Sequence, residues 1–257
     1  MMIHKVAVLG LGEAGSAIAA DLVEAGLTVD AWDPQPKRVP PGVNLTPNDH
    51  EAINGATVIL SVNLASVAAD VARSALPTLT KSQVFADLNT ASPQTKRDIA
   101  EILHPSGALF ADVALLAPVP ARGLRTPALV SGPGAKRFHD LLTPYGMPVM
   151  VLDDQVGSAA ARKLVRSIFM KGLAAVVIEC LEAAERLECE AWTREQLLTV
   201  LRDERLIDRF VEGSHTHAAR RIHEMEAAAE LLIEIGVASY MTNATIERLE
   251  KLSTALR

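Results

Sequence analysis

The 257-residue sequence has little cysteine, no excess of basic charge and no long apolar run. Its two cysteines, Cys180 and Cys189, fall in a stretch with helical patterning. Nine residues at about 100° and 1.5 Å each would put them on opposite faces of one helix, roughly 13 Å apart, which excludes a disulfide. They also lack metal-ligand spacing, so both read as reduced thiols. The net charge of −6 argues against a nucleic-acid surface. No apolar stretch reaches the roughly 18 residues that a membrane span needs. The first strand-like run starts almost at Met1, so no signal peptide is expected and the protein is expected in the cytoplasm. His215, His217 and His223 invite a metal reading, but His217 and His223 lie six apart, off a common helical face. No acid cluster completes a ligand set, and no metal is expected. Repeats and low-complexity tracts are absent as well. With 49% apolar residues, the chain is long enough to bury one large core or two modest ones.

The most informative stretch is Lys5-Val6-Ala7-Val8-Leu9-Gly10-Leu11-Gly12-Glu13-Ala14-Gly15. It reads as a strand, a tight glycine turn and a helix. Gly10 permits the turn, Gly12 lets the backbone approach a pyrophosphate, and Gly15 lets the helix lie close on the strand. Leu11, Glu13 and Ala14 fill the same loop, where the first N–H groups of the helix would face the phosphates. Asp33 closes the next apolar run, Thr28–Trp32, eighteen residues past Gly15. That is near the offset of about 20 for an acid that accepts ribose hydroxyls. A carboxylate there repels the 2′-phosphate of NADP, so NAD is the expected cofactor. NADP is the alternative, since Lys37 and Arg38 just beyond would soften the repulsion.

The first 154 residues alternate strands with helical segments. Strands are predicted at Ile3–Leu9, Thr28–Trp32, Thr57–Val62, Gln83–Leu88, Leu109–Ala114, Ala128–Ser131 and Pro148–Leu152. Helices are predicted between many of them, as at Ala14–Ala25 and Ser66–Ala75. This implies a Rossmann-type α/β domain over residues 1–154, with a doubly wound, mainly parallel sheet. Residues 155–257 read as an all-α domain entered through one long central helix. From Gln155 to Leu187 there is no proline, and Leu173–Ile178 is apolar on every face, which predicts a helix buried all round. A last helix is predicted after a Thr242 or Asn243 cap. So thin a helical half predicts a homodimer formed through the C-terminal helices.

Ligands of doubly wound sheets bind beyond the carboxyl ends of the strands. Ser61, Val62 and Asn63 fall there, as do Asn89 and Thr90, and Asp112 after a later strand. Asn89 and Thr90 are placed to reach the nicotinamide end of a cofactor, while Ser92 is the better cap for a helix from Pro93. In the long helix, Lys163 shares a face with Arg166 and Ser167, and Lys171 lies two turns along. Such a stripe is either an exposed basic face or a set of buried polar groups with partners.

These residues resemble the β-hydroxyacid dehydrogenase superfamily, which includes 6-phosphogluconate and 3-hydroxyisobutyrate dehydrogenases. The resemblance runs from the glycine loop through Asp87-Leu88-Asn89-Thr90-Ala91-Ser92-Pro93 and Asp112-Val113-Ala114 to the Gly157…Lys163 helix. It is strongest to a short 6-phosphogluconate-dehydrogenase-like subgroup with a poorly characterised helical domain. The segments Ala117-Pro118-Val119-Pro120, Ser131-Gly132-Pro133, Lys171-Gly172-Leu173 and His217-Ala218-Ala219-Arg220-Arg221 carry that similarity.

The resemblance implies an NAD(P)-dependent oxidoreductase acting on a small anionic hydroxy or carbonyl compound. Lys163 becomes the general acid/base, with Ser167 and Lys171 completing the catalytic set. A free lysine, with pKa near 10.4, is a poor base, so burial or cations such as Arg162, Arg166 and Lys171 must lower it. Two positions depart from the superfamily. Ser167 stands where an Asn usually orients the substrate, and Leu116-Ala117-Pro118 replaces a Ser-Gly-Gly that binds a carboxylate. Substrate contacts are therefore expected from Asp112, Leu116, Ala117, Arg122, Arg166 and His217, with Arg125 beside Arg122. Imine reductases share this architecture but usually carry another residue at the Lys163 position. A redox-sensing protein that only holds the nucleotide would not need the lysine.

Overall fold

The computed structural model describes residues 5–254, and the chain divides into two compact units between Lys163 and Leu164. In the first unit eight strands form one sheet. They are β1 (Lys5–Leu9), β2 (Thr28–Trp32), β3 (Asn44–Leu45), β4 (Val58–Ser61), β5 (Val84–Asp87), β6 (Leu109–Leu115), β7 (Ala128–Ser131) and β8 (Val149–Val151). Their order is β3-β2-β1-β4-β5-β6-β7-β8. All neighbours pair in parallel except β6 and β7. The chain therefore reverses its direction of winding at β1, which opens a crevice beyond the carboxyl ends of β1 and β4. Helices α1 (Glu13–Glu24), α2 (Asp49–Ile53), α3 (Ala65–Ala75), α4 (Pro93–Leu103) and α5 (Ala135–Leu142) complete the layers.

The central strands are mostly apolar, with polar residues at their ends, because both of their faces are covered. On β1, Val6 and Val8 enter one core while Ala7 and Leu9 enter the other. The start predicted for this strand, Ile3, lies outside the described residues. Two elements were not expected. Strand β3 has only two residues, both exposed, and α2 has five residues started by Asn48, whose side chain accepts the Glu51 N–H. Neither is long enough to show a period.

The second unit is all helical. Helix α6 (Ser158–Arg186) is followed by α7 (Glu190–Leu201), α8 (Glu204–Thr216), α9 (Ala218–Glu234) and α10 (Tyr240–Thr254). Ala174, Val177 and Leu181 of α6 pack on Ile207 and Phe210 of α8, and Ile178 packs on Met225, Leu249 and Leu252 of α9 and α10. These residues occupy one side of α6. The expected burial on every face is not found: Val165, Phe169 and Val176 are 55%, 65% and 51% exposed. Too few helices pack on α6 to cover its whole circumference. Cys189 is not in the same helix as Cys180 but occupies the position just before α7, and both thiols are free. Helix α10 starts two residues ahead of the expected cap, so Thr242 and Asn243 lie inside it. Among the described residues, no helix is long and apolar enough to cross a membrane.

Candidate active site

The glycine loop joins β1 to α1 at the switch point of the sheet. Gly10 adopts φ +107°, and a Cβ there would overlap the Val62 carbonyl. A Cβ on Gly15 would collide with the Gly10 carbonyl, so the helix can lie this close only because the residue is glycine. The space in front of Gly12 is open: a Cβ would meet nothing within 4 Å. Gly12 and Glu13 are exposed, Ala14 is half-buried and Leu11 is buried. Gly12 also stands at the N-cap of α1, where no side chain accepts from the first-turn amides. An uncapped helix start with an open approach suits a pyrophosphate, so the residues fit the dinucleotide that the motif predicts.

Asp33 follows β2 and braces this loop. Its Oδ2 accepts the Leu11 N–H at 2.7 Å and its Oδ1 accepts the Gln35 N–H at 2.8 Å. Each oxygen keeps a lone pair for a ribose hydroxyl.

A polar row crosses the neighbouring strands in register. Leu9 pairs with Ser61, Ser61 with Asp87, Asp87 with Asp112, and Asp112 with Ser131. Asn89 knits the ends of β4 and β5 together. Its Oδ1 accepts the Asn63 N–H at 2.7 Å, and its amide donates to Asn63 Oδ1 at 3.0 Å and to Asp87 Oδ1. The Asn63 amide donates to Ser61 Oγ at 2.9 Å. Ser61 and Asn89 are buried by this network, while Val62, Asn63 and Thr90 are half-buried at its rim. Thr90 Oγ1 accepts from Lys163 Nζ at 2.5 Å, across 73 residues of sequence. Lys163 thus stands at the carboxyl end of β5, within the same unit as the glycine loop.

Beneath that row lies Lys96, 1% exposed, with Nζ 2.9 Å from the Asp87 carbonyl, 2.7 Å from Asp87 Oδ2 and 3.3 Å from Asp112 Oδ1. Burial would lower the Lys96 pKa, but the charges of Asp87 and Asp112 outweigh it and hold the ammonium above its ordinary value. Burial raises the Asp87 carboxyl, with the Lys96 charge opposing. Asp112 differs from the substrate contact expected of it. It is fully buried, and its Oδ2 accepts the Ala160 N–H at 3.0 Å and the Ser131 hydroxyl at 3.3 Å. Lys96 was not singled out from the sequence, although a signal was present. Within α4 it falls on the stripe Pro93, Lys96, Ile99, Leu103, where a charge has no place without a partner.

In the second unit, the Ser167 hydroxyl donates to Glu224 Oε1, and Lys171 Nζ lies 2.9 Å from the same oxygen. Burial pushes the Lys171 ammonium down, Glu224 opposes it, and Arg221 and Arg166 add to the lowering. Burial lowers Arg221 too; its Nη1 donates to Ser214 Oγ. Glu224 carried no pattern in the sequence that would mark it. Arg166 is exposed.

The other expected substrate contacts are dispersed. Leu116 spends its N–H on the Pro127 carbonyl at 2.8 Å, and Ala117 is half-buried. Arg122 and Arg125 line a shallow groove of about 450 Å³ with Ala17, Ala20 and Asp21 of α1. His217 is exposed at the junction of α8 and α9 and lines a second groove of about 450 Å³ with Arg205, Arg209 and Thr216. Among the described residues, no group of three His, Cys, Asp or Glu is arranged to hold a metal.

Residues 5–119 match the NAD binding domain of 6-phosphogluconate dehydrogenase, and residues 184–252 match a domain of unknown function, DUF1932. The conserved protein MTH1747, described as structurally similar to 3-hydroxyacid dehydrogenases, is 27% identical, with a TM-score of 0.76 over 98% of this chain and 97% of that one. The 3-hydroxyisobutyrate dehydrogenase of Mycobacterium tuberculosis, solved with L-serine, shares the fold at a TM-score of 0.81 and 18% identity, over 99% of this chain and 94% of that one. An NADPH-dependent reductive aminase of Aspergillus oryzae is 27% identical over 181 residues, 67% of this chain and 61% of that protein. With a nucleotide-binding segment similar to that of 6-phosphogluconate dehydrogenase and the fold of the 3-hydroxyacid dehydrogenases, the chain is consistent with the β-hydroxyacid dehydrogenase superfamily.

Proposed function

We propose that the protein is an NAD(P)-dependent oxidoreductase with Lys163 as its general acid/base. It would act on a small, anionic hydroxy compound or the matching carbonyl. The observation that carries this reading is the placement of Lys163 Nζ on Thr90 Oγ1, at the sheet end that also holds the glycine loop and Asp33. Gly12 and the uncapped start of α1 would hold the pyrophosphate, and Asp33 the adenosine ribose. The nicotinamide, when bound, supplies a hydride acceptor or donor.

Oxidation of an alcohol needs a base for the hydroxyl proton as the hydride leaves carbon. Lys163 takes that proton as a neutral amine, and returns it as an ammonium when a carbonyl is reduced. Thr90, accepting from Nζ, directs the lysine. The resemblance puts Ser167 at the substrate-orienting position, and Lys171 completes the proposed catalytic set, with Glu224 as the carboxylate that holds both. NAD is the proposed cofactor, because the Asp33 carboxylate disfavours a 2′-phosphate, with NADP the alternative. The protein would work as a homodimer through its helical unit, as the exposed apolar side chains of α6 support.

The similarity to a reductive aminase supports a second reading, in which an imine replaces the carbonyl and the lysine protonates nitrogen. A screen of hydroxy acids, aldehydes and imines with NAD and NADP separates the two. Lys163→Ala should retain nucleotide binding and lose turnover by about 10² or more. Full turnover in that variant would remove the mechanism.

A further inference from the structure

The Lys163–Thr90 hydrogen bond joins two segments far apart in sequence, and each has its own anchor in the interior. On the Thr90 side, Asp87 accepts from Lys96 through both its carbonyl and its Oδ2, while its Oδ1 accepts from Asn89. On the Lys163 side, the first turn of α6 is held by the sheet. Ser131 Oγ accepts the Ala159 N–H and Asp112 Oδ2 accepts the Ala160 N–H, each at 3.0 Å. Those two amides would ordinarily be met by an N-cap side chain, and Gly157 has none. Gly157 instead adopts φ +98°, and a Cβ there would meet Pro93 at 3.0 Å, so the start of α6 lies flush on the start of α4. The two anchors converge on one ammonium, that of Lys96.

We propose that Lys96, Asp112 and Ser131 are positioning residues for Lys163, one buried cluster fixing both the strand end that presents Thr90 and the helix turn that carries the lysine. This rests on reading Lys163 as the acid/base. An apolar core would fill the same volume without the desolvation cost of burying ions. The cluster supplies what apolar packing cannot, which is azimuth. A helix turns about 100° per residue, so a slip of one residue in α6 would swing Lys163 off Thr90. Tethering two successive amides to two side chains on adjacent strands forbids that slip. The charges fit the same purpose. Two carboxylates face one ammonium, and the helix start contributes roughly another half of a positive charge to Asp112.

The test compares Ser131→Ala, Ser131→Thr and Asp112→Asn with Thr90→Val, which breaks the lysine contact directly. The rate at which acetic anhydride labels Lys163 is read by mass spectrometry, with exposed Lys136 as internal reference. Thr90→Val is expected to change the Lys163 rate about tenfold. Ser131→Ala and Asp112→Asn should shift it in the same direction by about threefold or more, and Ser131→Thr should restore it. With the best compound from the screen, Ser131→Ala should lower kcat about tenfold while leaving the nucleotide Kd unchanged. In a Lys163→Ala background the same substitution should cost nothing further.

Unchanged labelling in folded Ser131→Ala, where Thr90→Val does shift it, overturns the proposal. So does an equal loss of kcat in the presence and absence of Lys163. Normal turnover by Lys163→Ala removes the acid/base reading alone, and the labelling still decides whether the cluster positions the lysine. If Asp112→Asn does not fold, the two Ser131 variants carry the test.

Discussion

The two units differ in how they treat surface that must be hidden from water. In the first, the polar groups at the strand ends are drawn into hydrogen bonds with one another, with Lys96 and with the start of α6. The apolar residues of the central strands lie between two layers of helices. In the second, the core on one side of α6 is well made, yet the same helix exposes Val165, Phe169 and Val176. Further apolar side chains, Trp192, Ile233 and Tyr240, are more than half exposed in that unit. On the dimer proposed above, the first unit satisfies itself and the second offers its apolar stripe to a partner copy, as exposed apolar stripes on helices mark interaction surfaces. If that is correct, damage to the first unit should appear as lost stability and damage to the second as lost association.

The largest effect is expected at Lys96. Lys96→Met leaves two buried carboxylates without their counter-ion and should destabilise the protein by about 3–5 kcal/mol. Lys96→Met with Asp112→Asn should recover much of that loss, because Asp87, already raised by burial, can take up a proton. Chemical denaturation measures both. The pH dependence has a definite sign. The folded Lys96 pKa is raised, so its stabilisation is complete below the ordinary lysine value of 10.5 and is lost as pH rises beyond it. The wild-type protein should therefore lose more stability above that pH than the double variant does. Equal alkaline slopes would show that Lys96 does not hold the first unit together.

The second unit is challenged by Phe169→Asp, which puts a charge in the middle of the exposed stripe. Burying a phenylalanine is worth roughly 1.5–3 kcal/mol, so the dimer Kd should rise about 10- to 100-fold while the helical content stays the same. Sedimentation at micromolar concentration measures this. A wild-type protein that is already a monomer there would dissolve the comparison, and the stripe would be mere exposed surface.

The same contrast explains what could be read from the sequence. The strands of the first unit were legible because covered strands are continuous apolar runs, and Gly10, Gly12 and Gly15 because each meets a steric demand. The two-residue β3 had too little chain to show alternation. Asp112 is marked in the sequence by its place at a strand end and Lys163 by its polar helix face, but the contacts of Asp112, Ser131 and Lys96 come from pairing across strands, which spacing along the chain does not encode. Glu224 is similar: it meets Ser167 and Lys171 because α9 packs beside α6. In α6 a run apolar on every face predicts burial all round, and the pattern by itself does not say whether the cover comes from the same chain or from a second one.

A smaller effect is expected at Asp33, where the interest lies in a ratio. Asp33→Ala removes the carboxylate that repels a 2′-phosphate, but it also frees the Leu11 N–H and loosens the glycine loop. NAD and NADP should then both bind more weakly, and the loss of loop order would mask the change in preference. Asp33→Asn separates the two effects, since its side-chain carbonyl still accepts from Leu11 while the charge is gone. The expected outcome is an NADP-to-NAD affinity ratio that rises about tenfold in Asp33→Asn, with the fold intact, as calorimetric titration of both nucleotides would show. An unchanged ratio would mean that Asp33 serves the loop and not the choice of cofactor. The first unit would then be self-satisfied even at the residue that most resembles a ligand contact.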